Sequence, residues 1–229
     1  MKVVVLASGG LDSSTIIAML DQKEYQIYAL SFNYAQNHQV EIEKVSNFIK
    51  NYNVIEHRIV NLDLSAFAPS ALVNKNIQVP KYVSAKDIGS NIPVTYVPAR
   101  NTIFLSYALG YAEAIGAKEI YIGAHDTDSA NYPDCRLEYI EAFQRMANLA
   151  TKSAVEGEKI IIKAPLIKMS KSDIVAIGMR LGVDYSKTIT CYDPSPEAFS
   201  CGKCHACLVR ISAFEANNIT DTAKYAELV

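Results

Sequence analysis

The chain has 229 residues, half of them hydrophobic, and 22 Lys plus Arg against 24 Asp plus Glu, a formal net charge of -2. A balance this close to neutral, with no long basic run, disfavours an extended nucleic-acid surface. No apolar stretch approaches the roughly 20 residues that span a bilayer, and the length suits one good-sized core with a small appendage.

Strand-like and helix-like segments alternate from the start. Lys2 to Ala7 is apolar and β-branched, a first strand. It breaks at Ser8-Gly9-Gly10-Leu11-Asp12-Ser13-Ser14, and a helical pattern runs from Asp12 to about Lys23. Such an order builds an anion site: two glycines let the backbone approach a ligand, and the helix start presents unpaired N–H groups. Serine hydroxyls add donors, and Asp12 suits a metal ion that bridges phosphates. The segment has neither the Lys of a Walker A loop nor the third Gly of a dinucleotide fingerprint. A turn built for geometry alone does not need this density of donors.

Gln26 to Phe32 reads as a second strand. His38 to Tyr52 reads as a helix with Ile42, Val45, Phe48, Ile49 and Tyr52 on one face, and Val54 to Val60 as a third strand. Residues 61–99 carry four prolines and little periodicity; they are expected to form a lid or a subunit contact, with disorder as the alternative. Asn101 to Ile115 is a helix with an apolar stripe and a stop at Gly116. Glu119 to Ala124 is a fourth strand, Leu137 to about Lys152 a helix, and Lys159 to Ala164 a fifth strand. Ser170 to Asp173 caps a last helix of the alternation, which stops at Gly182.

Nearly continuous apolar strands alternating with helices predict an α/β fold, a doubly wound parallel five-stranded sheet with helices on both faces. Ligands of such sheets bind beyond the carboxyl ends of the strands, where the loop at Ser8 belongs. The expected division is an ATP-type α/β domain at 1–182 and a C-terminal helical metal-binding module at 183–229. The N-terminal strand is no signal peptide, and four of the five cysteines lie between 191 and 207. Both features fit a cytoplasmic, reducing location better than a disulfide framework.

Cys191, Cys201, Cys204 and Cys207 have the spacing C-x9-C-x2-C-x2-C. Four thiolates match a closed tetrahedral zinc site; an iron–sulfur cluster is the rival, since C-x2-C-x2-C also occurs in ferredoxin-type ligation. Zinc is the expectation, with His205 as a surface residue or one that only supports the ligands. Asn33 to His38 opens a helix at the ligand edge, so Gln36 and His38 are either ligand contacts or plain helix-start residues. Arg100 at a helix start is unfavourable unless an anion lies near, which points to phosphate. The loop from Gly123 to Arg136 is dense in donors and acceptors and suits a planar polar heterocycle, with a carboxylate reading ring N–H groups and Arg engaging an acid. Of the three lysines near the end of strand five, Lys171 at a helix start is chosen to reach a triphosphate.

The loop Ser8 to Ser13 resembles the PP-loop of the ATP-pyrophosphatase superfamily. Add Tyr34-x-Gln36-x-His38, Val97-Pro98-Ala99-Arg100-Asn101, Tyr132-Pro133-Asp134-Cys135-Arg136 and the cysteine tetrad, and the chain resembles the 7-cyano-7-deazaguanine synthase family, in the right order from the first strand to Cys207. It departs from that family's pattern at Ala35, where Gly is usual, at Asn37, where Arg is common, and at Ser129-Ala130-Asn131. The resemblance implies an adenine nucleotide alpha hydrolase-like fold and ATP-dependent conversion of 7-carboxy-7-deazaguanine and ammonia to the nitrile, through adenylated acid and amide, in queuosine or archaeosine precursor synthesis. It implies ATP at Ala7, Ser8, Gly9, Gly10, Leu11, Asp12, Ser13, Ser14, Thr15, Ile16, Ile17, Arg100 and Asn101, with Asp12, Ser13 and Lys171 catalytic. The substrate would meet Tyr34, Gln36, His38, Asp128, Tyr132, Asp134 and Arg136. Mg²⁺ would accompany ATP, and Zn²⁺ would fill the tetrad; the segment at 61–99 points to a homodimer, and charge and hydropathy to a small-molecule enzyme without nucleic acid or membrane. Two other classes remain: a PP-loop enzyme that thiolates or amidates tRNA, and a non-catalytic zinc-ribbon binding module.

Overall fold

The computed structural model describes residues 1–36, 40–89, 91–125 and 131–226. Val3, Val4, Val5 and Leu6 alternate across the sheet as a strand must. Val3 and Val5 join one apolar cluster, Val4 and Leu6 the other. That double burial puts β1 (Lys2–Leu6) in the centre of a parallel sheet. The order is β3-β2-β1-β4-β5, with β2 Gln26–Asn33, β3 Val54–Asn61, β4 Glu119–Tyr121 and β5 Ile161–Lys163.

Among the described residues the helices are α1 (Leu11–Asp21), α2 (Val40–Phe48), α3 (Arg100–Ile115), α4 (Leu137–Ala150), α5 (Lys152–Val155), α6 (Lys171–Arg180) and α7 (His205–Ala216). On one face, Leu105 and Ala108 of α3 and Ile140 and Phe143 of α4 cover Val4 and Leu30. Phe32 stacks on Phe104 there, with centroids 4.0 Å apart and 2° between planes. On the other face, Ile16, Ile17 and Leu20 of α1, Val45 and Phe48 of α2, Ile174 and Val175 of α6 and Phe214 of α7 share one core. The strand order reverses about β1, so the loops after β1 and β4 diverge from a common crevice.

The expected doubly wound sheet is present, with local differences. β4 and β5 pair for only three residues each, Glu119 to Tyr121 against Ile161 to Lys163, so the fourth strand ends before Ala124. Within the expected helix at 38–52, α2 gives way to a 3-10 turn at Ile49–Asn51. The expected helix at 137–152 breaks at Thr151, whose backbone is extended (φ -104, ψ 142) and whose hydroxyl donates to Ala147 O at 2.9 Å.

The aperiodic stretch after β3 is a strap that helps build the core: Leu64, Ala68, Leu72, Val73 and Val97 are buried with β2 and α3. It then reaches the cysteine-bearing end of the chain. Tyr82 N–H donates to Lys203 O at 2.8 Å, and Lys81 pairs with Asp193 at 2.7 Å.

The C-terminal residues are bound tightly to the sheet domain. Tyr185 OH lies 2.7 Å from Thr15 Oγ1 and so close to Gly178 that a Cβ there would sit 1.8 Å from it. Arg210 is 1% exposed and forms a two-pronged pair with Asp221 (Nε to Oδ2 2.7 Å, Nη2 to Oδ1 2.9 Å). The same guanidinium donates to Thr188 Oγ1 at 2.9 Å and Tyr185 O at 3.0 Å, and Tyr225 OH donates to Asp221 at 2.6 Å. Burial by itself would raise the Asp221 carboxyl; the hydrogen bonds and charge of Arg210 more than offset that and hold it below its usual range. Its contribution to stability is therefore present above the ordinary carboxylate pKa and fades as pH falls through the depressed one. Asp221→Ala strands a buried guanidinium and is expected to cost about 3–5 kcal/mol, read as a lower urea midpoint at pH 7 with the gap to wild type narrowing on acidification.

Candidate active site

The site starts where β1 stops. Ala7 N–H still pairs with Leu30 O at 2.9 Å, and the chain then turns at Gly9 (φ +79). A Cβ on Gly9 would lie 2.7 Å from Glu41 O, so both conformation and space require glycine. Gly10 is the N-cap of α1 with no side-chain cap, leaving the first-turn N–H groups facing the crevice. The turn is braced by Ser13, whose Oγ accepts from Ser8 N–H at 3.2 Å, lies 3.1 Å from Ser8 Oγ and donates to Gly10 O at 3.3 Å. Ser14 Oγ is buried with no hydrogen-bond partner among the described residues.

Three elements converge on the first turn of α1. Lys171 Nζ donates to Asp12 Oδ1 at 2.7 Å and Oδ2 at 2.8 Å, and lies 2.7 Å from His125 Nε2. Lys171 is placed by the capping box of α6, in which Ser170 Oγ accepts from Asp173 N–H at 3.2 Å while Asp173 Oδ2 accepts from Ser170 N–H at 3.0 Å. His125 is fully buried just beyond β4. The sequence placed Asp12 and Lys171 here but passed over His125, whose only signal was its position at the ligand edge.

A cleft of about 120 Å³ opens over this cluster. Gly10, Asp12, Glu41 and Lys171 line it together with Ile189, Thr190, Tyr192, His205 and Val209 of the C-terminal part. Residue 189 is docked on the loop by Ile189 N–H donating to Gly9 O at 3.0 Å. A second cavity of about 180 Å³, walled by Val79, Pro80, Pro93, Val94, Thr95 and Asn131, shares Tyr192 and His205 with the first. The C-terminal residues are thus a wall of the site, and His205 lines both cavities rather than standing apart.

Behind that wall the Sγ atoms of Cys191, Cys201, Cys204 and Cys207 all lie within 4.8 Å of one another, and no two are joined in a disulfide. A tetrahedral four-thiolate centre with bonds near 2.3 Å spaces its sulfurs about 3.8 Å apart, so the set fits a metal ion. Backbone donors point at the sulfurs: Asp193 N–H and Cys201 N–H to Cys191 Sγ at 3.3 and 3.2 Å, and Cys204 N–H to Cys201 Sγ at 3.3 Å.

The family model described as queuosine biosynthesis protein QueC matches residues 2–218. The chain belongs to this family. The 7-cyano-7-deazaguanine synthase of Rickettsia rickettsii (strain Sheila Smith) is 56% identical over 224 residues, covering 98% of both chains. That of Rickettsia canadensis (strain McKiel) is also 56% identical, covering 98% of this chain and 99% of its own. Among solved structures, the NMN synthetase from Francisella tularensis aligns over 95% of this chain and 77% of that one at 15% identity, with a TM-score of 0.49.

The other expected contacts of this QueC-family chain differ in burial and in the partners they hold. Ala7, Leu11, Ile16 and Ile17 give their side chains to the core, and Thr15 Oγ1 donates to Leu11 O at 2.9 Å, so any ligand contact from these positions is through backbone. Arg100 begins α3 over the rings of Tyr34 and Phe104, 6.0 Å from each centroid. Burial opposes the Arg100 charge, while Tyr34, Cys135 and Asp134 around it raise its pKa above the ordinary value. Asp134 Oδ2 accepts from Asn101 N–H at 2.9 Å and so caps α3, and Asn101 Nδ2 donates to Asp134 O at 3.0 Å. Tyr132 OH lies 3.1 Å from Thr95 Oγ1 and 3.4 Å from Tyr192 OH. Arg136 is exposed at the start of α4. Gln36 is buried, its Oε1 accepting from Tyr34 N–H at 2.8 Å while its Nε2 has no partner among the described residues. Between them Ala35 holds φ +64, a left-handed value that explains why Gly suits this position better. His38 and Asp128 lie outside the described residues.

Glu41 carries an unusual charge state. Burial raises its carboxyl pKa from 4.5 to about 7, and Arg100 only partly offsets that. A carboxyl whose folded pKa exceeds its unfolded one costs stability as pH rises through the window between the two, here from about 4.5 to about 7. Glu41→Gln is therefore expected to stabilise the protein at pH 8 by about 1–2 kcal/mol after allowance for partial solvent contact, and to change little at pH 4.5. Paired thermal melts at the two pH values check this.

Proposed function

We propose that this chain is a 7-cyano-7-deazaguanine synthase, converting 7-carboxy-7-deazaguanine and ammonia to the nitrile at the expense of ATP. The observation that carries the reading is 56% identity over 98% of both chains with relatives bearing that name. The first-turn N–H groups of α1 and the Ser8 and Ser13 hydroxyls would hold the triphosphate, with Lys171 and Arg100 balancing its charge. The substrate carboxylate attacks the α-phosphorus, and pyrophosphate leaves. Ammonia then adds to the acyl-adenylate carbonyl, loses a proton and expels AMP, giving the amide. The amide oxygen then attacks the α-phosphorus of a second ATP and a second pyrophosphate leaves; loss of AMP and two protons gives the nitrile. The walls formed by Ile189, Thr190 and Tyr192 would keep water from the acyl-adenylate.

Asp12 offers the hard oxygen donors that Mg²⁺ prefers, at a side chain 21% exposed to the cleft. Mg²⁺ supplies charge neutralisation on the leaving pyrophosphate when bound. Zn²⁺ fits the cysteine tetrad in a structural role. The heterocycle would lie toward Tyr34, Gln36, His38, Asp128, Tyr132, Asp134 and Arg136, with Asn101 supporting Asp134. We also assign residues 1–182 to the ATP-binding unit, 183–229 to the zinc module, and the strap at 61–99 to a lid or the subunit contact of a homodimer. A cytoplasmic enzyme using free ammonia fits this scheme.

The test is purified, zinc-loaded protein with ATP, Mg²⁺, ammonium and 7-carboxy-7-deazaguanine, read by mass. Nitrile and AMP are expected. Folded protein that forms neither AMP nor amide nor nitrile would refute the reading.

A further inference from the structure

An ammonium group has three N–H donors. The contacts of Lys171 Nζ account for all three: Oδ1 and Oδ2 of Asp12, at 2.7 and 2.8 Å, and Nε2 of His125, at 2.7 Å. Lys171 therefore has no donor left for an incoming phosphate while Asp12 holds it. A divalent cation that draws the Asp12 carboxylate away releases two donors at once. One contact then decides where Nζ stays, and that is His125.

The two anchors differ in burial. Asp12 is partly exposed at the loop edge, 21% for its side chain, whereas His125 is 0% exposed. Its Nε2 also stands 3.7 Å from Asp12 Oδ2, so the imidazole lies beside both members of the ion pair. For Nε2 to accept from an ammonium, the imidazole must be neutral with its proton on Nδ1.

We infer that His125 is a positioning residue: a buried hydrogen-bond acceptor that keeps Lys171 Nζ over the loop at Ser8–Ser14 once Asp12 turns to a metal ion. It touches neither nucleotide nor acceptor and acts only through Lys171. Of the proposed chemistry it needs only that a triphosphate binds this loop, not the identity of the molecule adenylated.

The experiment is a double-mutant cycle on affinity for α,β-methylene-ATP with Mg²⁺, measured by calorimetry on the full zinc-loaded chain. Lys171→Met is expected to weaken binding by about tenfold or more, as a charge-assisted contact should. His125→Leu should produce most of that loss, and the double variant should be no weaker than Lys171→Met alone. His125→Gln, which keeps an acceptor, should restore at least half of the loss on a logarithmic scale. If the Leu variant does not fold, His125→Met replaces it in the cycle. Additive losses, wild-type affinity in the apolar variant, or a Gln variant as weak as the apolar one would each overturn the inference. Wild-type protein that does not bind the analogue would overturn the ATP reading with it. Protein that binds with the expected coupling yet makes no nitrile would refute only the proposed reaction.

Discussion

Asp12→Ala is expected to leave the chain folded and to lower pyrophosphate release by about a thousandfold or more. The two effects separate because Asp12 does little for the fold. It sits in the first turn of α1, where a carboxylate interacts favourably with the helix dipole by about 0.3–1 kcal/mol. Its loss strands no fully buried charge, since the Lys171 side chain is 13% exposed and keeps His125 as a partner. In the proposed site the same carboxylate would be a hard donor for a metal ion, and it occupies the Lys171 ammonium that would meet phosphate. A thousandfold corresponds to about 4 kcal/mol of transition-state stabilisation. Pyrophosphate release on Asp12→Ala and Asp12→Asn, beside thermal melts, checks both halves. Unchanged turnover removes Asp12 from its assigned role, and a melt lowered by several kcal/mol makes it structural.

What the sequence disclosed follows from what local patterns encode. Val3 to Leu6 announces a doubly covered strand because both of its faces are apolar. Lys171 was legible because Ser170 and Asp173 fix the start of α6, and strand-end loops of a parallel sheet meet at one edge. His125 was not, because its role comes from contact with Lys171, 46 residues away, and no periodicity records such a contact. It also fell just past a strand expected to run to Ala124, whereas pairing ends at Tyr121 when β5 runs out. Asp221 carries no mark in the sequence of its buried pair with Arg210, because a separation of 11 residues across a helix end has no periodic signature. The strap after β3 hid Leu64, Leu72 and Val73 from view, since a chain punctuated by proline can bury side chains without a regular period. The cysteines were plain from spacing alone, but not that Tyr192 and His205, adjoining two of them, wall the cleft over the loop.

That last juxtaposition sets the second large effect. Cys204→Ser, or exhaustive chelation, is expected to abolish both the native C-terminal structure and all nucleotide-dependent activity, although no ligand of the tetrad touches the cleft floor. Cys191, Cys204 and Cys207 are each 0% exposed, and Cys204 is the N-cap of α7. Removing the ion would leave four thiols crowded within 4.8 Å and unlink the start of α7 from the loop at Cys191, with Tyr82 N–H on Lys203 O as a remaining hold. Structural zinc in small modules contributes about 10–16 kcal/mol of apparent binding free energy, comparable to the roughly 5–15 kcal/mol by which a whole domain is stable. Loss of α7 would carry away Arg210 and Phe214, then the anchor of the tail through Asp221, and with them the segment from Ile189 to Tyr192 that packs on Gly9. The expected readings are about one zinc per chain by metal analysis, release of that zinc in step with loss of helical signal on chelation, and AMP formation falling along the same curve. Asp221→Ala is the control: it weakens the same module by several kcal/mol but keeps the ion, so it should stay active at temperatures below its lowered melt. Chelated protein that keeps its melt and its turnover would show that the tetrad holds nothing the fold needs, and iron in place of zinc would redirect the site toward sulfur or redox chemistry.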